Sequence, residues 1–136
     1  MRISCRANSG QALPESYLGN GYFRESVFNV TIGSEYAVLG IAVYKGIVCF
    51  LLVDDVSLPN WYPADLFSVV DSRIPANWFS ALYPGNAAAL GFLIGYRALI
   101  FDERHYDALL ERDPEALEIF HREVRGPGSE NLPRPD

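Results

Sequence analysis

The chain reads as an α+β protein: a small, strongly bent antiparallel sheet or partly open barrel of about five to six strands, followed by two C-terminal helices. Three observations predict it. From Phe28 to Tyr83, apolar residues either alternate with polar ones or run unbroken for the length of a strand. Lys45-Gly46 separates two segments rich in Val, Ile, Tyr and Phe, and a two-residue link with Gly second marks a tight hairpin. Asp113-Pro114-Glu115 restarts the chain as helix, with an oxygen-bearing cap, Pro in the first helical position and an acid in the first turn.

The elements follow in order. Residues 1–21, with Gly10, Pro14, Gly19 and Gly21, show little periodicity and read as an irregular lead-in. Phe28, Val30 and Ile32 alternate with Asn29 and Thr31, which predicts a short strand, and Gly33-Ser34 turns the chain. Tyr36 to Tyr44 and Ile47 to Val53 form the hairpin. Pro59 and Pro63 break regularity around Asn60-Trp61-Tyr62. Leu66 to Val70 and Trp78 to Tyr83 supply two more strands, parted by Ser72 to Asn77 with Pro75. Leu90 to Phe101 leans to strand, because Gly91 and Gly95 each cost a helix about 1 kcal/mol. Asp102 caps a first helix through Arg112 with Tyr106, Leu109 and Leu110 as its apolar stripe. A second helix carries Leu117, Phe120 and Val124 and ends at Gly126-Pro127-Gly128. The expected organisation is one domain over 1–136: lead-in 1–21, mostly β 22–101, helical 102–125 and a frayed tail 126–136.

Composition bounds the function. A chain of 136 residues, 49% apolar and 13% aromatic, can build one sizeable core. Its net charge of −6, from 17 acids against 11 bases, should repel nucleic acid and anionic membrane and favour basic partners. Cys5 and Cys49 do not make a secreted disulfide framework, and Cys49 lies in an apolar run where packing is its expected task. The N-terminus lacks the apolar core of a signal peptide. Ala37 to Val53 is split by Lys45-Gly46 and falls short of a membrane span. A soluble protein of the reducing cytoplasm is expected.

Chemistry-bearing motifs are sparse. No glycine-rich phosphate loop or nucleophile elbow is present. His105 and His121 stand sixteen residues apart, too far for a local metal motif. A Cys49–His105 pair is the one thiol arrangement that spacing leaves open. Asp54-Asp55, with Asp65 and Asp71 across the long loop, raises the question of paired-carboxylate catalysis. If the strand continues, Asp54 and Asp55 point to opposite faces, and strand-end Asp is a routine turn former. No catalytic residue, cofactor or metal is therefore expected.

The stretch from Asp54 to Trp78 is aromatic and acidic, and reads more readily as a surface that holds a partner. Trp61, Tyr62 and Trp78 either anchor an interface or plug the open end of the sheet. Residues 102–123 hold eight acids against three arginines, nearly all of the net charge. Glu103, Asp107 and Glu111 fall at four-residue spacing, which places like charges on one side of the first helix and costs about 0.2–0.5 kcal/mol per pair. Such a face either keeps the protein dissolved or meets a basic partner, which would turn the cost into attraction.

Several pieces in fixed order carry a resemblance over most of residues 1–125. They are Thr31-Ile32-Gly33-Ser34-Glu35-Tyr36 before the hairpin, Asp54-Asp55, Trp61-Tyr62-Pro63-Ala64-Asp65-Leu66-Phe67, Val69-Val70-Asp71, Ile74-Pro75 and Trp78. The tail adds Asp102-Glu103-Arg104-His105-Tyr106-Asp107 and Asp113-Pro114-Glu115-Ala116-Leu117-Glu118-Ile119-Phe120. In these the chain resembles a group of small bacterial proteins, some of which look like immunity proteins of polymorphic toxin systems. The resemblance implies a protein that binds and silences one cognate toxin made by the same cell, and it supplies no binding site of its own. Together with the concentrated acidity it leads to the expectation of an inhibitor that covers the toxin's active site and meets a basic contact surface, with Glu103, Asp107, Glu111, Asp54, Asp55, Trp61 and Tyr62 as the expected partner-binding residues. A non-catalytic adaptor or regulatory domain is the alternative, told apart by the neighbouring gene, and a small hydrolase is third.

Overall fold

A computed structural model describes residues 1–85 and 89–124. The protein is α+β, with two antiparallel sheets and helices near the C-terminus. The strands are β1 (Arg2–Cys5), β2 (Glu35–Ala37), β3 (Gly40–Tyr44), β4 (Ile47–Val53), β5 (Pro59–Pro63), β6 (Phe67–Asp71), β7 (Phe79–Leu82) and β8 (Leu90–Gly95). The helices are α1 (Arg97–Phe101), α2 (His105–Leu110) and α3 (Pro114–Val124). Three strands form a small sheet in the order β2-β1-β6, and five form a large one in the order β5-β4-β3-β8-β7. No helix among the described residues is long and apolar enough to cross a membrane.

The expectation of one sheet with five to six strands is corrected to two sheets with eight. The expected strand from Tyr36 to Tyr44 bends at Val38-Leu39 and serves both. Val38 gives its N–H to Met1 in the small sheet, and Leu39 gives its own to Leu51 in the large one. The Lys45-Gly46 hairpin forms as the sequence predicts, pairing Tyr44 with Ile47. Both turn residues lie at positive φ (51° and 77°), the conformation in which the turn's twist matches that of its strands.

Two segments reverse their expected roles. The lead-in contains β1, the centre of the small sheet, where Ile3 and Cys5 point inward and Arg2 and Ser4 outward. Phe28 to Ile32, expected as a strand, has no ladder. Its backbone is satisfied piecemeal: Phe28 N–H donates to Asn8, Asn8 Nδ2 to the Val30 carbonyl, and Thr31 N–H to Tyr36 Oη.

The prolines around Asn60-Trp61-Tyr62 bound a strand after all. β5 is an edge that pairs Val53 with Pro59 and Cys49 with Pro63. Since Ile47, Cys49 and Leu51 pair inward to β3, Phe50 and Leu52 hold β5 through Tyr62 and Asn60. The missing N–H of each proline then falls on the outer side, where no ladder bond is lost.

Two cores share the large sheet as a common wall. One lies between it and the small sheet: Ile3, Val38, Phe50, Leu52, Tyr62, Leu66 and Phe67. The other lies under the helices: Ala42, Leu51, Leu93, Tyr96, Leu99, Leu109 and Phe120. β4 contributes to both, so it reads in the sequence as a continuous apolar run rather than an alternating one.

Among the described residues, three α-helices replace the expected two. Leu90–Phe101 divides: β8 runs to Gly95, and α1 begins at Arg97. Gly95 pairs with Gly40 across the sheet, and Leu99 settles on both. A Cβ on Gly95 would stand 2.7 Å from Leu99 Cδ2, so the glycine is needed for close helix–sheet approach. Asp102 closes α1, and its carbonyl and carboxylate receive the His105 and Arg104 N–H groups that start α2. Asp113 caps α3 by accepting the Ala116 N–H, as the sequence predicts. The expected end at Gly126-Pro127-Gly128 and the tail beyond it lie outside the described residues.

Candidate functional site, an acid-rimmed aromatic cleft

The helix layer does not cover the whole of its side of the large sheet. A cleft of about 410 Å³ opens where β3 ends and β8 begins. Its floor is apolar, from Leu90, Leu93, Leu99 and Ile100. Three phenols wall it: Tyr44 at the end of β3, Tyr83 just past β7, and Tyr106 on α2. Asp102, Glu103 and Asp107 form the rim. The α1–α2 turn places the first two carboxylates, and the first turn of α2 places the third.

Among the described residues, the cleft wall contains no Lys, Arg or His. The ion pairs among the described residues are Arg2–Glu35 and Arg73–Asp71, both remote from it. Burial pushes the Tyr106 phenol up to about 12, with the Cys49 thiol, Tyr44 and Asp107 adding to the effect. Tyr106 therefore stays neutral at physiological pH and adds a donor, not a charge. Trp61 packs against it from behind, ring centroids 5.7 Å apart, and holds the wall in place. At the lip, Lys45 Nζ stands 5.5 Å over the Tyr44 ring. Phenol faces beside unpaired carboxylates suit a cation, through ring quadrupole and Coulomb attraction together.

The expected partner-binding residues scatter. Glu103 and Asp107 meet at the rim, with Asp102, which the sequence reading had not singled out for binding. Glu111 is exposed but caps the C-terminus of α2 and lies outside the cleft. The three acids do not line one helix, because α2 begins only at His105 and ends at Leu110.

Asp54 is buried and cannot meet a partner. Its carboxylate accepts the N–H groups of Val56 and Leu58, Asn60 Nδ2 and the Tyr62 hydroxyl, and so builds the β4–β5 turn. Asp55 is exposed on the other side and accepts from Thr31 Oγ1 and Tyr36 Oη. Tyr62 is buried in the first core, and Trp61 is half-buried in the second, so the two point to opposite faces of β5. Trp78 is half-buried against the first core. These aromatics pack; they are not a joint surface anchor.

The one thiol arrangement left open also dissolves. Burial pushes the Cys49 thiol up to about 11, and its polar neighbours are Tyr22 Oη at 3.9 Å and the Ile47 carbonyl. His105 is buried instead against Tyr96, its Nε2 lying 2.6 Å from the phenol oxygen. Among the described residues, no three His, Cys, Asp or Glu side chains gather to hold a metal ion.

Compared with protein-family models, curated proteins and solved structures, the chain matches none. The cleft therefore has to be read from its own chemistry.

Proposed function

We propose that the protein is an immunity-type inhibitor, which binds a cognate bacterial toxin and occludes its active site by receiving basic residues of that toxin in the cleft. One observation carries the reading: Asp102, Glu103 and Asp107 face a hollow walled by Tyr44, Tyr83 and Tyr106, with no Lys, Arg or His in its lining among the described residues. Like charges held together without a partner cost stability, and a docked basic side chain converts that cost into affinity and faster encounter. The reading fits the resemblance to immunity proteins, and it moves the contact from the helix face expected there to the cleft.

The test is to mix the protein with secreted effectors encoded beside it. A stable complex is expected with one of them, weakened by salt and by Glu103→Gln with Asp107→Asn. A complex only with a housekeeping protein would instead favour the adaptor reading. No complex with any neighbour would sink both.

A small hydrolase has one observation in its favour. His105 lines a second hollow of about 450 Å³ together with Asp102, Arg104, Asp113 and Glu115. Its ring is only 2% exposed, which opposes contact with a substrate. Loss of a measured turnover in His105→Asn, with the fold intact, would establish that reading.

A further inference from the structure

The large sheet has two edges, and they are finished differently. β5 carries a proline at each end, and Arg112 donates to the Pro59 carbonyl at 2.6 Å and to Asn60 Oδ1 at 2.6 Å. That edge is closed to another strand. β7 reads Phe-Ser-Ala-Leu, with neither charge nor proline. Natural sheets guard free edges with exactly those devices, and an edge without them is a template for strand pairing.

The register shows which groups β7 offers. Tyr83 N–H bonds the Gly91 carbonyl, and the ladder pairs Ala81 with Leu93 and Phe79 with Gly95. In antiparallel pairing, alternate residues turn to alternate sides. The backbone N–H and C=O of Ser80 and Leu82 therefore point away from β8, and no described residue receives them. Leu82 is 73% exposed and Phe79 39%. The strand then leads directly to Tyr83, a wall of the acid-rimmed cleft.

We propose that β7 is a docking edge, on which an extended basic segment of the partner adds as a sixth strand and carries a Lys or Arg side chain into the cleft. Main-chain bonds to Ser80 and Leu82 would supply register, and the carboxylates of Asp102, Glu103 and Asp107 would select a basic strand over an acidic one. The basic character rests on the cleft reading given above; the strand addition rests on the edge alone. The competing occupant is a second copy of this chain, paired β7 to β7. The net charge of −6 opposes that pairing.

The test uses a probe peptide, acetyl-Val-Arg-Val-Arg-Val-Arg-amide, with amide hydrogen exchange of the full chain read residue by residue. Saturable slowing at Ser80 and Leu82 by at least roughly tenfold, little change at Ala81 and reversal by salt are expected. Ser80→Pro removes an outward N–H that no described strand uses, so the slowing at Leu82 should vanish while the fold remains. Unchanged exchange at Ser80 and Leu82 would overturn the proposal, as would slowing that grows with the protein's own concentration and needs no peptide. Should Ser80→Pro misfold, the wild-type exchange pattern decides alone. If a toxin binds wild type and Ser80→Pro equally, the edge proposal falls and the inhibitor reading stands. If no toxin binds but the peptide protects the edge, the reverse holds.

Discussion

Tyr96 Oη and His105 Nε2 share a hydrogen bond of 2.6 Å beneath the helices. Burial first, then Glu123, keeps the phenol protonated. The other ring nitrogen, His105 Nδ1, is buried and meets no hydrogen-bond partner among the described residues.

Burial holds the His105 pKa below its ordinary value, with Asp102 and Glu123 pulling the other way. The unfolded chain thus takes up a proton at higher pH than the folded one. The His105 contribution to stability should be complete well above pH 6.5 and be lost as pH drops through roughly 6.5, by up to about 1.4 kcal/mol per pH unit. Urea midpoints at pH 7.5, 6.5 and 5.5 check this. The slope between the last two should lessen in His105→Asn; an unaltered slope would clear His105 of the effect.

Asp54 is expected to be the most sensitive polar position. Its removal in Asp54→Ala strands four donors, two of them backbone N–H groups. A loss of about 3 kcal/mol or more is expected, with a Tm lower by on the order of 10 °C. Asp54→Asn should cost less, since Oδ1 can still accept from Val56 and Leu58. Calorimetry that ranked Asp54→Ala with ordinary surface substitutions would contradict this placement.

Gly95→Ala should cost about 1–3 kcal/mol through its clash with Leu99. Leu99→Ala alone should cost about 2–5 kcal/mol by leaving a cavity. Because the second change removes the nearest of the atoms that the first one meets, leaving Leu39 O at 3.2 Å and Gly40 Cα at 3.3 Å, the double variant should be more stable than the sum of the two losses. Strict additivity in a double-mutant cycle would mean that the contact is not the cause.

The cleft and the helix face make different demands on charge reversal. On the inhibitor proposal, Glu103→Lys and Asp107→Lys should each weaken toxin binding by at least roughly tenfold and flatten its dependence on salt. Glu111→Lys, which lies outside the cleft, should change affinity little. Equal losses at all three positions, measured by titration calorimetry, would return the interface to the helix face.

Much of the architecture was legible wherever a local signal was complete. Lys45-Gly46 and Asp113-Pro114-Glu115 state their conformations within two or three residues, and both elements form as read. β1 was missed although Arg2-Ile3-Ser4-Cys5 does alternate, because four residues without a flanking turn are too short to stand out. β5 was missed because a proline's cost depends on which side of the strand is paired, which only the sheet order reveals. The site was less legible. Glu103 and Asp107 were found by their charge, but the cleft joins them to Tyr44 and Tyr83, brought from other strands by register. The turn-forming role of a strand-end Asp was legible at Asp54, but its burial was not, because Asn60 and Tyr62 reach its carboxylate only once β5 folds back on β4.

Because β4 lines both interiors at once, neither half of the molecule has a boundary along which it could melt by itself. Loosening the helices would strip one side of Leu51, and losing the small sheet would strip the neighbouring Phe50 and Leu52. Denaturation should accordingly pass in a single sigmoidal step whether Trp fluorescence or helical ellipticity is followed.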